Sequence, residues 1–313
     1  MRDDMGDGMR GDICDGRGRD GRGESLLGGR LSFRQPPRGQ GYRAPFDGVF
    51  LAACVPLASW LRGRRGQRGM SRRVSSMRPL RCLDMGMGTG MVSLCLLSRA
   101  QRARMALHVT GIETQHALLP YARRNLADNG FSTHAQVLWG DMRVAKPLMA
   151  RKRFDIVMVN PPWRDGGRDG GREGGRQGGH KRACQHAPRH PQRACAFMLG
   201  DSTLGEWVSS AVRYAKPDGM LCLIVHADHT EHVTCVLRRL GWHVAVRWFL
   251  YGRSHAHPIR TIFYAHKAGD RRGGYGARSN ASSIHHVTLH EFDGRFNPVI
   301  EGVLRHGSAL AGG

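Results

Sequence analysis

The stretch Leu80-Arg81-Cys82-Leu83-Asp84-Met85-Gly86-Met87-Gly88-Thr89-Gly90 decides the predicted fold. Its first half has the apolar character of a buried strand. Its second half is a glycine-rich turn that leads into an apolar helix starting at about Met91. Glycines at 86, 88 and 90 let the backbone approach a ligand where a Cβ atom would clash. The stretch therefore predicts a strand, a turn and a helix, with a ligand held at the turn.

A second stretch, Phe154-Asp155-Ile156-Val157-Met158-Val159-Asn160-Pro161-Pro162-Trp163, predicts another buried strand followed by a rigid corner. Two consecutive prolines cannot continue a strand, and they restrict the residue before them as well. In open α/β sheets the carboxyl end of a strand faces the ligand crevice. We therefore expect the polar side chain of Asn160 to face the same ligand region as the glycine-rich turn.

The alternation of apolar strands and amphipathic helices predicts an α/β fold with a doubly wound, mostly parallel sheet of seven strands and helices on both faces. The strands are predicted at 80–84, 108–113, 135–139, 155–160, 220–226, 242–250 and 260–266, and the helices between them at 91–99, 116–129, 204–215 and 230–240. A strand at 30–35 and a helix at 44–61, shortened or kinked by Pro56, precede the sheet. An amphipathic segment at 284–292 and a helix at 298–305 follow it.

Low-complexity segments precede and interrupt a single predicted domain. Residues 1–24 alternate glycine with arginine and aspartate, which predicts a disordered tail. Residues 25–310 form the predicted catalytic domain, interrupted by a basic linker at 62–78 and by a flexible Gly/Arg-rich insertion at 164–196. The insertion begins with four repeats, DGGR, DGGR, EGGR and QGGH. Because these repeats have no hydrophobic face, they can form a loop but not a packed element.

Composition indicates a polyanionic partner and a reducing compartment. The chain has 48 Lys and Arg against 25 Asp and Glu, a net charge of +23. Such a surplus favours nucleic acid as a partner, although arginines gathered in unstructured tracts would give the same sum. The eight cysteines form no CxxC pair and mostly lie in apolar segments, which predicts reduced thiols. With no secretory signal and no long apolar run, we expect a cytoplasmic protein without a membrane span.

Carboxylates follow the first three predicted strands of the sheet. Asp84 ends the first strand, and Glu113 ends the second, 23 residues after Gly90. Glu113 can accept both hydroxyls of a ribose, and Asp141, after the third strand, can accept an adenine amino group. Three acids at one edge suit a positively charged sulfonium cofactor, whereas a phosphate-cradling GxxxxGK[ST] loop is absent. Taken singly, Glu113 or Asp141 is also consistent with a solvated strand-end carboxylate.

These motifs carry a resemblance to known enzymes. Residues 84–90 resemble the S-adenosyl-L-methionine (SAM) motif of Rossmann-like class I methyltransferases. Residues 160–163 resemble the [DNS]-P-P-[YFW] motif of enzymes that methylate a planar, conjugated amino nitrogen. The chain also resembles the bacterial tRNA1(Val) (adenine-N6) methyltransferase family in the stretches 27–36 (LGGRLSFRQP), 41–53 (GYRAPFDGVFLAA) and 289–298 (LHEFDGRFNP). The resemblance covers about residues 25–163 and 197–310.

The resemblance implies a SAM-dependent methyltransferase that acts on N6 of an adenine in tRNA. It implies Asn160, Pro161, Pro162 and Trp163 as the catalytic residues, with Trp163 stacking on the base. The implied cofactor-binding residues are Asp84, Gly86, Gly88, Gly90, Glu113, Asp141 and Asp47. Because the Gly/Arg-rich insertion follows Trp163 directly, the exact substrate stays open at this point.

Two other functions remain open on the sequence. A glutamine side chain has an equally planar amide, so a glutamine methyltransferase of release factors would use the same Asn-Pro-Pro-Trp motif. The basic tracts also fit a nucleic-acid-binding protein built on a methyltransferase fold. Histidines and cysteines at 180, 184, 186, 190 and 195 fit no zinc-finger spacing, so we expect a basic loop there and no metal.

Overall fold

The structure is a computed structural model, and it describes residues 24–37, 46–57, 78–143, 153–162, 201–254, 256–268 and 282–310, with the backbone alone for 201–203. Most of the predicted tail, nearly all of the linker at 62–78 and the whole insertion at 164–196 lie outside the described residues. So does Trp163. Glu24, which the sequence assigned to the tail, begins the first strand.

The strands are β1 Glu24–Leu26, β2 Leu31–Phe33, β3 Leu80–Met85, β4 Leu107–Glu113, β5 Ala135–Trp139, β6 Phe154–Val159, β7 Ala215–His226, β8 Trp242–Tyr251, β9 Pro258–Lys267 and β10 Ser283–Thr288. The helices are α1 Asp47–Cys54, α2 Met91–Arg102, α3 Leu119–Asp128, α4 Asp201–Tyr214, α5 Thr230–Arg239 and α6 Pro298–His306. Short 3₁₀ turns at His116–Leu118 and Ala227–His229 precede α3 and α5. None of the helices in the described ranges has the length and apolar character needed to cross a membrane.

The central sheet has the order β10-β8-β9-β7-β6-β3-β4-β5. Only β9 runs antiparallel to its neighbours, so the carboxyl ends of the other seven strands lie at one edge. The predicted doubly wound α/β architecture is confirmed, but the described sheet has eight strands rather than seven. The additional strand is β10, which the sequence assigned to an amphipathic segment. It is largely exposed at the sheet edge, and its pairing with β8 is a long-range contact that no local pattern encodes.

Alternating side chains of the strands divide into two cores, one on each face of the sheet. Ile156 and Met158 point to the face covered by α1, α2, α3 and α6. Val157 and Val159 point to the other face, which α4 and α5 cover. This period of two, in strands that are apolar on both faces, is what a parallel sheet between helical layers requires.

The junction between β6 and β7 differs from the sequence prediction. Residues 216–219, which separate the predicted helix at 204–215 from the predicted strand at 220–226, lie within β7, where the pairing with β6 shifts register between Phe154 and Ile156. The buried carboxylate of Asp155 accepts hydrogen bonds from Lys216 Nζ at 2.7 Å and from the Arg81 backbone N–H at 2.9 Å. Both bonds satisfy a buried charge, and the one from Lys216 attaches the start of β7 to β6.

Candidate active site

A cleft opens at the carboxyl edge of the sheet, above β6, β3, β4 and β5, with about 560 Å³ of empty space that includes the open solvent at its mouth. Its lining residues are Gly86, Gly88, Ile112, Glu113, Thr114, Gln115, Leu118, Gly140, Asp141, Met142, Asn160, Pro162 and Trp207. The lining therefore brings together residues from the ends of four neighbouring strands, the segment after β4 and one residue of α4. This is the edge where open α/β sheets bind their ligands.

Glu113 joins the glycine-rich turn to the end of β4. Its Oε2 accepts a hydrogen bond from Gly88 N at 2.8 Å, and its Oε1 accepts one from Gln115 N at 2.7 Å. Burial raises the pKa of the Glu113 carboxyl, although these backbone N–H groups act in the opposite direction. These bonds hold the buried Glu113 carboxyl at the cleft wall, and its predicted contact with a ribose stays a prediction.

Asp84 is buried beneath the turn rather than among the described residues that line the cleft. Its Oδ2 accepts the hydroxyl of Ser93, in the first turn of α2, at 2.5 Å. Burial raises the pKa of Asp84 to about 6, an effect larger than the opposing hydrogen bonds from Ser93. In this arrangement Asp84 connects the end of β3 to the start of α2, and its predicted contact with a cofactor stays a prediction.

Asp141 lines the cleft and forms a two-point ion pair with Arg143. The guanidinium Nη2 lies 2.7 Å from Oδ2, and Nε lies 3.1 Å from Oδ1. Hydrogen bonding to Arg143 lowers the pKa of Asp141, so the carboxylate is ionised throughout the neutral range. The sequence predicted Asp141 as a cleft residue but not Arg143 as its partner, because the side chain of an arginine two residues away can point in several directions.

The predicted catalytic motif is described only as far as Pro162. Asn160 and Pro162 line the cleft directly after β6. Pro161 is buried between them and is not among the lining residues. Asn160 and the glycine-rich turn, which contributes Gly86 and Gly88, thus line one cleft, as the two quoted stretches predicted.

Trp207 is a cleft residue that the sequence analysis missed. Its ring covers Gly86: a Cβ atom at position 86 would lie 2.8 Å from Cη2 and 3.1 Å from Cζ3 of the indole. Gly86 has φ +76°, so both the backbone conformation and the contact with the ring require glycine there. An aromatic residue at helical spacing in the segment 204–215 signals only a core position, so the sequence held no sign of this contact.

Two asparagines of the α3 region were also missed, and they position the glycine-rich turn. Asn125 Nδ2 donates to the carbonyl of Thr89 at 2.9 Å and to that of Arg34 at 2.8 Å, while its Oδ1 accepts from Arg34 N at 2.7 Å. Asn129, directly after the helix, forms the same pair of bonds with the backbone of Ser32. The β1–β2 hairpin is therefore fixed against α3, which in turn holds the turn that floors the cleft.

Asp47 and Gly90, both predicted to bind cofactor, are likewise not among the lining residues. Asp47 Oδ2 pairs with Arg260 Nε at 3.0 Å, which ties the start of α1 to the start of β9. Gly90 is the N-cap residue of α2 in the left-handed conformation, with φ +89°. Both residues have defined structural contacts, and their contact with a cofactor stays a prediction.

Comparison with known proteins adds independent findings. The methyltransferase small domain family matches residues 68–172. A tRNA1(Val) (adenine(37)-N6)-methyltransferase of Serratia proteamaculans is 26% identical over 219 residues, which is 70% of this chain and 68% of the relative. An enzyme of the same name from Porphyromonas gingivalis is 30% identical over 155 residues, which is 49% of this chain and 52% of the relative. The chain is a class I SAM-dependent methyltransferase.

A solved structure supports the methyltransferase fold. The crystal structure of a "predicted O-methyltransferase" from Agrobacterium tumefaciens superposes with a TM-score of 0.54 at 18% identity, over 84% of this chain and 97% of that one. At this identity the likeness concerns the fold alone.

The residues of the methyltransferase cleft fit SAM, the cofactor of this enzyme class. Glu113 and Asp141 supply the negative charge that suits a cationic ligand with hydroxyl and amino donors. Gly86 and Gly88 allow the backbone to approach the ligand closely. Gln115 Oε1 and Trp207 Nε1 are buried atoms of lining residues, with no hydrogen-bond partner among the described residues. The cleft wall therefore offers a ligand one hydrogen-bond acceptor, Gln115 Oε1, and one donor, Trp207 Nε1.

Proposed function

We propose that this methyltransferase modifies N6 of an adenine in tRNA. The main support for the proposal is that one cleft is lined both by Asn160 and Pro162 and by the carboxylates Glu113 and Asp141. An acceptor group next to Asn160 would then lie beside a cofactor held by the carboxylates. The names of the two relatives and the net charge of +23 support tRNA as the substrate. We also propose a cytoplasmic location, because the proposed tRNA substrate would be met there.

Asn160 would activate the acceptor nitrogen by hydrogen bonding. The lone pair of an exocyclic amino group is delocalised into the ring, so the nitrogen is a poor nucleophile. Asn160 Oδ1 and the carbonyl of Pro161 would each accept one of its N–H groups, which orients the nitrogen and stabilises the positive charge that develops on it. The rigid corner formed by Pro161 and Pro162 would hold both acceptors in place, and Trp163 would stack on the extruded base.

The remaining cleft residues would hold the cofactor. When bound, SAM supplies an electrophilic methyl group on a cationic sulfur. Glu113 would accept the ribose hydroxyls, and Asp141 would accept the adenine amino group. Both carboxylates carry the sign of charge that favours a cation, so they contribute to affinity for the methylated form of the cofactor.

A nucleoside assay tests the proposal directly. Bulk tRNA is incubated with the enzyme and methyl-labelled SAM, digested to nucleosides and analysed by mass spectrometry. We expect label in N6-methyladenosine. Label in another nucleoside would assign a different acceptor. Transfer to a glutamine-containing release factor with none to tRNA would favour the glutamine reaction, and absence of SAM binding in calorimetry would favour a binding protein on this fold.

The variant Asn160→Ala tests the role of the motif. We expect single-turnover methylation to fall about 10²–10³-fold, because the lost bond strengthens as the nitrogen becomes cationic. SAM affinity measured by calorimetry should stay within about twofold, since Asn160 would bind the acceptor and not the cofactor. Asn160→Asp keeps an acceptor oxygen and should retain more activity than Asn160→Ala. Near wild-type rates in Asn160→Ala would remove Asn160 from the catalytic step.

A further inference from the structure

An exposed tryptophan stands at the sheet edge beside the cleft. Trp139 is the last residue of β5, and its side chain is 61% exposed. It directly precedes Gly140 and Asp141, which line the cleft. Single exposed apolar side chains are common on protein surfaces, but this one is a flat aromatic ring next to the cleft, where a base could stack on it.

The Trp139 ring is held in one orientation by two contacts. Its Nε1 donates a hydrogen bond to the carbonyl of Thr114 at 3.0 Å. The ring of His116 meets it edge to face, with centroids 5.7 Å apart. A fixed, exposed aromatic face loses little conformational entropy when a flat partner stacks on it.

An arginine of α3 lies near the Trp139 ring. Arg123, an exposed residue of α3, directs its Nη2 to the carbonyl of Val137 at 3.5 Å, two residues before Trp139. An aromatic ring near an arginine is a combination that can bind single-stranded nucleic acid through stacking and a phosphate contact.

We propose that Trp139, His116 and Arg123, named here the Trp139 surface, bind a nucleotide of the RNA substrate that flanks the methylated base. The proposal rests on the proposed function, and it adds a second contact point outside the catalytic cleft. β5 is separated from β6 by β3 and β4, three strand spacings or about 14 Å. A base extruded at Asn160 and a neighbour stacked on Trp139 would therefore belong to one short stretch of RNA.

Three variants of the full chain test stacking. We expect Trp139→Ala to weaken tRNA binding about tenfold in fluorescence anisotropy, because stacking on one base contributes roughly that factor. Trp139→Phe keeps an aromatic face and should stay within about threefold of wild type. The matched control is Leu240→Ala, an exposed apolar residue (39%) just before β8, toward the opposite edge of the sheet. It should leave tRNA affinity unchanged.

Charge variants test the phosphate contact. Arg123→Gln should lower the slope of log affinity against log salt concentration by about one, as loss of one phosphate contact predicts. Arg239→Gln, at an exposed arginine of α5, is the control and should leave the slope unchanged. Equal slopes for the two variants would remove Arg123 from the interface.

Calorimetry with SAM and a measurement of molecular mass distinguish RNA stacking from a role of Trp139 in the cofactor cleft or in a dimer. Unchanged tRNA affinity in Trp139→Ala would overturn the proposal. So would a parallel loss of SAM affinity, because Trp139 would then act through Thr114 on the cofactor cleft. A wild-type dimer that Trp139→Ala converts to a monomer would assign this sheet edge to a second copy. Each of these outcomes would refute the role of Trp139 alone. A wild-type enzyme that does not bind tRNA would instead refute the proposed function.

Discussion

Substitution of Gly86 by alanine tests the geometry of the cleft most sharply. The position has φ +76°, where an L-residue other than glycine costs about 1–2 kcal/mol. A Cβ atom would also lie 2.8 Å from Cη2 of Trp207, well inside the roughly 3.5–4.0 Å of an ordinary carbon contact. Overpacking of this kind costs about 1–3 kcal/mol. Since the two costs add, we expect Gly86→Ala to lower the free energy of unfolding by about 2–5 kcal/mol.

A matched control separates the two causes. Gly130, just after α3, has φ +73°, and a Cβ atom there would have no described heavy atom within 4 Å. Gly130→Ala therefore carries the backbone cost alone, about 1–2 kcal/mol. The difference between the two variants measures the contact with Trp207.

The assay is equilibrium urea unfolding followed by circular dichroism, repeated in a Trp207→Leu background. If the ring causes the excess cost, the double-mutant cycle should show a coupling of about 1–3 kcal/mol between positions 86 and 207. SAM affinity should fall in Gly86→Ala and stay near wild type in Gly130→Ala. Equal destabilisation by both alanines, or a cycle without coupling, would refute the packing of Trp207 on the glycine-rich turn.

Two further predictions concern the carboxylates. Glu113→Gln replaces a charged acceptor worth about 1.5–3 kcal/mol, so SAM affinity in calorimetry should fall about 10- to 150-fold, and an unchanged affinity would exclude Glu113 from the site. Burial raises the pKa of Asp84 to about 6 in the folded chain, against about 3.9 when unfolded, so ionisation costs more in the folded state. The folded chain is therefore more stable below about pH 4, where Asp84 is protonated, and its free energy of unfolding falls by about 3 kcal/mol as pH rises through about 6. Asp84→Asn should abolish this fall. Superimposable plots of unfolding free energy against pH for the two proteins would contradict the prediction.

The parts of the site that the sequence predicted depend on local patterns. Glycines at fixed spacing, two prolines after an apolar run and acids at strand ends are visible in one stretch of chain. Once the strands are parallel, their carboxyl ends must meet at one edge, so Glu113, Asp141 and Asn160 were expected on one cleft, and they lie there. The sequence could not show that Asp84 turns inward to Ser93, because a strand-end carboxylate has no local signal for its direction.

The sequence by itself determined the strand–turn–helix units, the α/β class and the edge at which a ligand binds, because hydrophobic period, glycine and proline act on the nearest few residues. Tertiary structure alone decided which distant groups complete the site. Trp207 reaches Gly86, and Asn125 reaches Thr89, from elements far along the chain. β10 joins the sheet through its pairing with β8. Such contacts depend on the packing of whole elements, and identical local sequences are compatible with many partners.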